Sequence, residues 1–514
     1  MPPRIAGSVP PRIAWSAPAR IAWSVPPRIA WSAPARIAAG LLLLALAAGC
    51  AGTGSGPPST TTLVAGPGSG FLTSMPSYLK PLRDGVTTLP ILTVGDTVVA
   101  ARPEDSLFVF FPRPDGIAAR SGGNGLVELY VAHDLEWEDG AGYSRVSRLV
   151  LNQRSAGVLN ADFLLDGTER YSDLAALTLV GSHEGFLGPT LLVNETSIDG
   201  PRHGIAAALE VRPSVITDLP HFGRFRHAAT AVLQHSSGSV MAIETEEGLP
   251  GESQLWMYLG NSASDLVSGR GRLYVLRADG PRFGMNTRYA SMASRSRPLT
   301  GRFVPCDNAA GLAFERQAQE LEDRAQQAGC LNFVRLAGVA LDPDHENAFY
   351  FTDLGYPSPA DPSSGRSVTG NGRLYRVELD PIDPTRVVSL EVVLDGDQGD
   401  DIYRPDDIAT SGEMMMITED PRARGLHAAR VLRYDTLTRQ LDPIAVCAER
   451  DVQGRLLPQG TGGAWEATGI TDASDLFGVG AWLVAVQAPT DWSTPFHRVG
   501  GGQLLLLRIP GSRR

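Results

Sequence analysis

Gln503-Leu504-Leu505-Leu506-Leu507-Arg508, close to the C-terminal end of this 514-residue chain, has the pattern of a buried β-strand. Short apolar or alternating runs of the same kind begin near residue 85, for example at 127–131, 272–277 and 429–434. Roughly twenty such runs follow one another, separated by Gly, Pro, Asp and Ser. The stretch at 503–508 therefore predicts a closing strand that pairs with an N-terminal one and removes an open sheet edge.

The scarcity of helical segments between these runs defines the fold class as all-β. A doubly wound sheet needs a helix between successive strands, so it is excluded. A β-propeller and several packed sandwiches both remain compatible with the pattern. The 56 glycines and 38 prolines supply the turns that many short strands need.

One segment departs from the strand pattern and predicts an inserted helix near 312–328. Its apolar residues recur at the spacing of one helix face, and Gly329 stands where a C-terminal cap belongs. Cys306 and Cys330 flank this segment. Three thiols besides Cys50 allow one disulfide, and Cys306–Cys330 is the pair we predict, with two free thiols as the alternative.

The overall charge argues against a nucleic-acid partner. The chain has 45 basic and 56 acidic residues, for a net charge of −11. Its composition, with 43% apolar and 20% charged residues, is that of a globular protein and excludes extensive disorder.

The first 49 residues are predicted to be a lipoprotein signal peptide. Residues 1–40 repeat with a period of eight and carry arginines without acids, and an apolar run at 41–48 follows. That run is too short to span a bilayer, which takes roughly 20 residues. Ala47-Ala48-Gly49-Cys50 resembles the bacterial lipobox, which predicts lipidation at Cys50; ordinary cleavage beside an incidental cysteine is the alternative.

These features give a predicted domain organisation and location. Residues 1–49 form the signal peptide with its repeat tract, 50–84 the lipid anchor and a flexible linker, and 85–514 the β-domain. The membrane is then a partner through the acyl chains, and the protein belongs to the bacterial cell envelope, on its periplasmic or outer face.

Acidic residues near predicted strand ends are the candidates for chemistry. Carboxylates that converge from separate segments suit calcium and other hard cations, whereas any single cluster is better explained as a solvated acidic loop. The nucleophile elbow of serine hydrolases, the P-loop and the dinucleotide fingerprint do not occur in the sequence. The acidic candidates are Asp134, Glu136, Glu195, Glu244, Glu246, Glu247, Asp397, Asp400, Asp401, Asp406, Asp407, Glu419, Asp420, Glu466 and Asp472.

A set of short motifs, in order, resembles the PhoX-type alkaline phosphatase family of secreted bacterial proteins. The resemblance covers nearly the whole of the predicted β-domain. The motifs that carry it include Gly223-Arg224-Phe225-Arg226-His227, Gln254-Leu255-Trp256-Met257-Tyr258-Leu259-Gly260, Arg404-Pro405-Asp406-Asp407-Ile408, Thr418-Glu419-Asp420-Pro421 and Trp465-Glu466-Ala467-Thr468-Gly469-Ile470-Thr471-Asp472-Ala473.

The resemblance implies a six-bladed propeller whose axial pocket holds iron and calcium ions and hydrolyses phosphate monoesters. It also implies that Arg335 clamps the phosphate, and that Glu195 takes part in catalysis. The metal ligands implied by position are Glu195, Glu246, Glu247, Asp406, Glu419 and Glu466.

The sequence departs from the family pattern at four ligand positions. Val193 replaces a bridging cysteine, and Asn194, Ala228 and Ala337 replace carboxylates. Losing four negative charges from a site for multivalent cations argues against an iron centre of the phosphatase kind. A calcium site that includes Asp406, Glu419 and Glu466 is still expected.

Two functions follow as alternatives. One is a metal-dependent phosphatase or phosphoesterase with a reduced ligand set, acting on a phosphate ester or another small molecule. The other is a catalytically inactive, lipid-anchored propeller that serves as a calcium-stabilised binding protein. A propeller that processes sugars or lactones is a third possibility. We expect a monomer with no bound organic cofactor.

Overall fold

The computed structural model describes residues 68–102, 106–136, 142–249, 252–280, 296–356, 369–421, 427–450, 455–456, 464–490 and 499–510. All of them belong to one compact unit, Thr62–Arg514. The predicted signal peptide, Cys50 and the first part of the predicted linker lie outside the described residues. Among the helices that are described, none has the length and hydropathy of a membrane-spanning segment.

The described residues form 28 strands and few helices, so the fold is all-β as predicted. The strands of the first half are β1 (Leu79–Pro81), β2 (Thr87–Thr93), β3 (Thr97–Val99), β4 (Leu107–Val109), β5 (Pro114–Gly123), β6 (Leu126–His133), β7 (Arg145–Asn152), β8 (Val158–Leu165), β9 (Leu174–Val180), β10 (Thr190–Glu195), β11 (Ala206–Glu210), β12 (Val215–Asp218), β13 (His227–Gln234) and β14 (Val240–Glu246). Those of the second half are β15 (Leu255–Gly260), β16 (Arg272–Ala278), β17 (Leu299–Pro305), β18 (Leu336–Leu341), β19 (Ala348–Asp353), β20 (Arg373–Leu379), β21 (Arg386–Asp395), β22 (Pro405–Ser411), β23 (Met414–Glu419), β24 (Arg430–Asp435), β25 (Leu441–Cys447), β26 (Glu466–Asp472), β27 (Ala481–Ala488) and β28 (Gly501–Arg508).

Antiparallel sheets of successive strands are the repeating unit of the fold. Four of them have the orders β5-β6-β7-β8, β9-β10-β11-β12, β22-β23-β24-β25-β1 and β26-β27-β28-β2. A fifth sheet has nine strands in the order β13-β14-β15-β16-β17-β21-β20-β19-β18, and β3 and β4 form a separate hairpin.

The first strands of these units contact one another in a ring. β5 lies beside β9, β9 beside β13, β18 beside β22, β22 beside β26, and β26 beside β5. β13 and β18, at opposite ends of the nine-stranded sheet, also contact each other, so that sheet curls into a nearly closed barrel. The arrangement is propeller-like, and we call the six ring strands β5, β9, β13, β18, β22 and β26 the inner strands.

Two glycines allow the inner strands to approach closely. A Cβ atom at Gly469 in β26 would lie 2.3 Å from the backbone oxygen of Asp115 in β5. A Cβ atom at Gly338 in β18 would lie 2.7 Å from the backbone oxygen of Asp406 in β22. Both distances are far below a van der Waals contact, so these positions require glycine.

The closing strand predicted at 503–508 is confirmed. β28 pairs antiparallel with β2, with Leu505 opposite Pro90 and Leu507 opposite Thr88. Leu504 and Leu506 pack into one apolar core, whereas Leu505 and Leu507 pack into another. A strand that is buried on both faces explains the unbroken run of four leucines.

Regular structure begins earlier than the predicted domain boundary at residue 85. Phe71 forms an isolated bridge with Val158, and β1 pairs with β25 with Leu79 opposite Cys447. The last part of the segment predicted as a flexible linker is therefore part of the β-body, because its backbone completes the edge of an existing sheet.

The inserted helix predicted near 312–328 is confirmed as α2 (Phe314–Ala328), which follows the short helix α1 (Ala263–Ser268) and precedes α3 (Ser474–Phe477). It ends at Gly329 in a left-handed conformation, with φ of 81°. Leu321 and Ala325 are buried as expected, but Phe314 is 55% exposed. The guanidinium of Arg224 lies 4.4 Å from the centre of the Phe314 ring.

The predicted Cys306–Cys330 disulfide is absent from the structure. Cys306, Cys330 and Cys447 are buried, and none of them is in a disulfide bond. Cys306 and Cys330 both belong to the apolar core beneath α2. The Cys330 thiol instead donates to Oδ1 of Asn332 over 3.3 Å.

Candidate functional site

A cavity of about 1120 Å³ lies at one end of the ring of inner strands. Residues at or near the start of all six inner strands line it, so we call it the axial cavity. The lining residue from each, in chain order, is Asp115, Ala175, Ala228, Ala337, Asp406 and Glu466.

A repeated backbone arrangement builds the wall of this cavity. Each inner strand forms a hairpin with the strand that follows it. The residue just before the inner strand accepts, at its backbone carbonyl oxygen, a hydrogen bond from the backbone N–H of the residue just after the second strand. This pairing joins Arg113 to Asp134 (3.0 Å), Asp173 to Thr196 (2.9 Å), Arg226 to Glu247 (3.0 Å), Arg335 to Leu354 (2.9 Å) and Arg404 to Asp420 (3.0 Å).

The residue before the inner strand is also conformationally unusual in four of these five cases. Arg113, Asp173, Arg335 and Arg404 have φ values between 50° and 58°. Non-glycine residues seldom adopt this left-handed region. Its recurrence at equivalent points shows an internal structural repeat, and arginine occupies the position in three of the four.

In each of these five inner strands, the residue two positions after the one that precedes the strand lines the axial cavity. Asp115 and Asp406 supply carboxylates, whereas Ala175, Ala228 and Ala337 supply only methyl groups. The carboxylates come from β5 and β22, and Glu466 comes from β26 between them. We call the side of the cavity formed by β5, β22 and β26 the acidic half. The side formed by β9, β13 and β18 carries Asp173 and Glu247 together with Arg226 and Arg335.

The acidic half brings five carboxylates together, which are Asp115, Asp134, Asp406, Asp407 and Glu466. Burial raises the pKa of Asp115 well above its ordinary value, and the charges of the other four carboxylates raise it further. Burial also raises the pKa of Asp407 to about 7. Gln487 in β27 donates from Nε2 to Oδ2 of Asp115 over 3.1 Å. Mutual repulsion of this strength is what a bound cation would relieve.

Three arginines line the cavity beside these acids. Arg113 contacts Asp134 over 2.8 Å, and Arg335 forms an ion pair with Glu247. Arg226 donates to the backbone oxygen of Thr196 over 3.4 Å. Guanidinium groups bind phosphate and carboxylate oxygens in a bidentate manner, so this rim suits an anionic group.

The structure brings four of the residues predicted from the resemblance to the same cavity: Glu247, Arg335, Asp406 and Glu466. Glu195 does not reach it. Glu195 is fully buried and accepts backbone N–H groups of Ser172 (2.8 Å), Gly204 (3.0 Å) and Ile205 (3.3 Å). Burial raises the pKa of Glu195 to about 8 in spite of these donors.

Glu419 and Glu246 also lie away from the lining of the axial cavity. Glu419 is fully buried, contacts Arg430 over 2.7 Å and accepts the backbone N–H of Tyr403 over 3.0 Å. Glu246 accepts from Nε1 of Trp256 over 2.8 Å. We therefore do not include Glu195, Glu246 and Glu419 in the candidate site.

The donor set favours hard cations over iron. The described residues that line the cavity include no histidine or cysteine, and their carboxylates are the oxygen ligands that suit calcium or magnesium. Val193, at the position of the expected bridging thiolate, is buried in an apolar core. Within the part of the chain that the structure describes, no three His, Cys, Asp or Glu side chains stand close enough together to hold a metal ion. A cation would thus require side chains of the acidic half to turn toward it.

Sequence reasoning missed Asp115, Arg113 and Arg226 as cavity residues. The signal that could have found two of them is a repeated tripeptide. Arg-Pro-Asp occurs at 113–115 and again at 404–406, in both cases at the start of an inner strand. Asp134 and Asp407 were among the acidic candidates but had no assigned position.

Comparisons with known proteins support the fold. No protein-family model matches the chain, and no curated protein matches it. PhoX of Pseudomonas fluorescens, solved in complex with vanadate as a transition-state analogue, is 11% identical over 86% of this chain and 97% of its own, with a TM-score of 0.56. That similarity supports a PhoX-like propeller fold.

Two other solved structures are more distant. An α-L-arabinanase of Penicillium chrysogenum, complexed with arabinobiose, is 10% identical over 83% of this chain and 100% of its own, with a TM-score of 0.40. Regucalcin of Agrobacterium tumefaciens, a calcium-binding protein, is 11% identical over 77% of this chain and 90% of its own, with a TM-score of 0.33.

Proposed function

We propose that the chain is a six-bladed propeller of the PhoX type. In this interpretation the nine-stranded sheet is two blades, β13–β16 and β18–β21, whose outer strands are joined by β17. The six inner strands would then be the first strands of the six blades. The equivalent backbone pairing at five of the six inner strands supports this count.

We further propose that the protein is a phosphoesterase that depends on a hard divalent cation of the calcium class. The observation that carries this proposal is the crowding of five carboxylates in the acidic half of the axial cavity, across from Arg226 and Arg335. A phosphate ester joined to a cation presents both charges: the carboxylates complement the cation, and the two arginines complement the phosphate.

Residues of the acidic half would hold the cation, and arginines would orient the ester. Asp115, Asp406 and Glu466 are the ligands we propose. A bound cation would polarise the phosphoryl oxygens. Arg335 would exchange its ion pair with Glu247 for the phosphate, and Arg226 would contact the same group from the neighbouring inner strand.

We also propose that the protein acts as a monomer anchored to the bacterial envelope through lipidated Cys50. The lipobox-like sequence at 47–50 supports the anchor. Mass spectrometry of the N-terminal peptide of the membrane fraction tests it, and an unmodified Cys50 would refute it.

The central experiment combines metal analysis with hydrolysis of p-nitrophenyl phosphate under calcium or iron. We expect turnover with calcium, and a loss of at least tenfold in Glu466→Gln and Asp406→Asn. Glu210→Gln, at an exposed position in β11, is the matched control and should retain full activity. Absence of both tightly bound cation and turnover would eliminate the phosphoesterase.

A second candidate is a catalytically inactive propeller that binds a small anionic ligand and is stabilised by calcium. The methyl groups of Ala175, Ala228 and Ala337 favour it, because these three inner strands supply no ligand at the positions where β5, β22 and β26 supply carboxylates. A calcium-dependent rise in melting temperature without turnover would favour this function over the enzyme.

A further inference from the structure

A second group of buried oxygen atoms lies away from the axial cavity, between α2 and the strands β14 and β15. Glu246 at the end of β14 accepts from Nε1 of Trp256 over 2.8 Å and also from the backbone N–H of Gln254. Glu322 on α2 lies near enough for its charge to act on Glu246. The following residue, Glu247, belongs to the axial cavity, so the two neighbouring carboxylates serve different places.

Two acceptor oxygens in this group receive no hydrogen bond from the residues that the structure describes. Gln254 is fully buried, and its Nε2 donates to Oδ1 of Asn332 over 3.0 Å and to Oε1 of Glu322 over 3.5 Å. Gln326 donates to the same Glu322 oxygen over 2.6 Å. Oε1 of Gln254 and Oε2 of Glu322 are buried and have no hydrogen-bond partner among the described residues.

An excess of buried acceptors is costly unless a positive species joins them. An unsatisfied buried oxygen costs about 1 to 3 kcal/mol, and more where it is charged. Burial, and then the charge of Glu322, raises the pKa of Glu246 well above its ordinary value. Carboxylates and side-chain amide oxygens together are the ligands that calcium prefers.

We propose that a hard divalent cation of the calcium class binds between Glu246 and Glu322, with Oε1 of Gln254 as a further ligand. The cation would fasten the inserted helix to the end of β14. The protein would supply two carboxylates and one amide oxygen as ligands, and water would complete the coordination of the cation. The inference does not depend on the proposed phosphoesterase activity, since Glu322 and Gln254 lie outside the axial cavity.

Trp256 gives this site a spectroscopic readout, and the axial site, where Trp465 precedes Glu466, has to be told apart from it by variants. Its indole nitrogen is hydrogen-bonded to Glu246, so a terbium ion bound there would be excited through the tryptophan ring. We would titrate Tb³⁺ into chelator-treated full chain, excite tryptophan and record terbium emission, then displace the ion with Ca²⁺. We expect a saturable emission step that calcium reverses.

Three variants distinguish this site from the axial one. Glu322→Gln should weaken the emission step at least tenfold, because it removes one of two ligand charges. Glu315→Gln, exposed in the first turn of α2, should leave it unchanged. Glu466→Gln should also leave it unchanged while removing any component that comes from the axial cavity.

Three results would each overturn the inference. The first is an emission step that is unaltered in Glu322→Gln, and the second is an emission that disappears entirely in Glu466→Gln. The third is that calcium does not raise the melting temperature of the wild-type chain while Glu322→Gln melts at a higher temperature, because Glu246 and Glu322 would then share a proton instead of a cation. None of these results depends on whether the protein hydrolyses phosphate esters.

Discussion

Gln487 donates a hydrogen bond from Nε2 to Oδ2 of Asp115 over 3.1 Å and so joins β27 to β5, residues 372 positions apart. Gln487 is 2% exposed. The bond crosses between the C-terminal sheet and the sheet of β5, at the wall of the axial cavity. It orients a carboxylate whose pKa is raised by burial and by the charges of four neighbouring carboxylates.

Removing this donor should destabilise the protein measurably. We expect Gln487→Ala to lower the free energy of unfolding by about 1 to 3 kcal/mol, because a buried carboxylate loses a neutral donor. Urea denaturation at neutral pH measures the loss. Gln398→Ala, at an exposed position, is the control and should stay within about 0.5 kcal/mol of the wild type. Equal stability of both variants would contradict the role assigned to Gln487.

Glu195 offers a direct test of a structural role against the predicted ligand role. Its carboxylate satisfies three buried backbone N–H groups. We expect Glu195→Ala to cost about 3 to 5 kcal/mol, because those donors would lose their acceptor. Metal content, measured on the folded fraction, should be unchanged. A variant that keeps its stability but loses bound metal would restore Glu195 as a ligand.

Stability should also depend on pH through Asp353, which lies outside the proposed cation sites. Burial raises its pKa from 3.8 to about 7, against the favourable charge of Arg373. The folded protein therefore holds a proton that the unfolded chain releases between those values, and stability falls as pH rises through about 7.

The variant Asp353→Asn isolates this contribution. Its Oδ1 can still accept from the hydroxyl of Tyr375, which donates to Asp353 over 2.9 Å. Between pH 4 and pH 8, we expect the wild type to lose a few kcal/mol of unfolding free energy relative to the variant. The size of this loss follows from the change in the Asp353 pKa between the unfolded and folded states. Melting curves in chelator across that range measure it. A difference that is constant with pH would show that the Asp353 pKa is not raised.

Gly469 should tolerate no side chain. The added Cβ of Gly469→Ala would meet the backbone oxygen of Asp115 at 2.3 Å, so β26 and β5 would have to separate. We expect a loss of about 2 kcal/mol or more in unfolding free energy. Gly181→Ala is the matched control, since nothing lies within 4 Å of its Cβ. If both substitutions were neutral, the close approach of the inner strands would be wrong.

Local patterns predicted the elements of this fold better than their assembly. The apolar run at 503–508 and the helical spacing ending at Gly329 each reflect short-range physics, and both features occur as expected. The pairing of β17 with β21 joins residues about ninety positions apart across two hairpins. Its register depends on packing, which strand patterns in a divergent repeat do not encode.

The candidate site was only partly predictable for a similar reason. The order of the motifs correctly predicted that Asp406, Glu466, Glu247 and Arg335 share one site, because each lies at the start or the end of a hairpin that begins with an inner strand. A motif does not tell which face of a strand its carboxylate takes. Glu195, the last residue of β10, satisfies buried backbone donors, as Glu419 at the end of β23 does in part, and the residue after it, Thr196, is the one that lines the cavity.

The strand β17 has a mechanical consequence. It hydrogen-bonds β16 on one side and β21 on the other, so neither half of the nine-stranded sheet has a free edge at this junction. If either half detached, the other half would lose the backbone hydrogen bonds along one whole strand. The two halves should therefore open to solvent together, and their backbone amides should exchange hydrogen as one cooperative block that the remaining sheets need not follow.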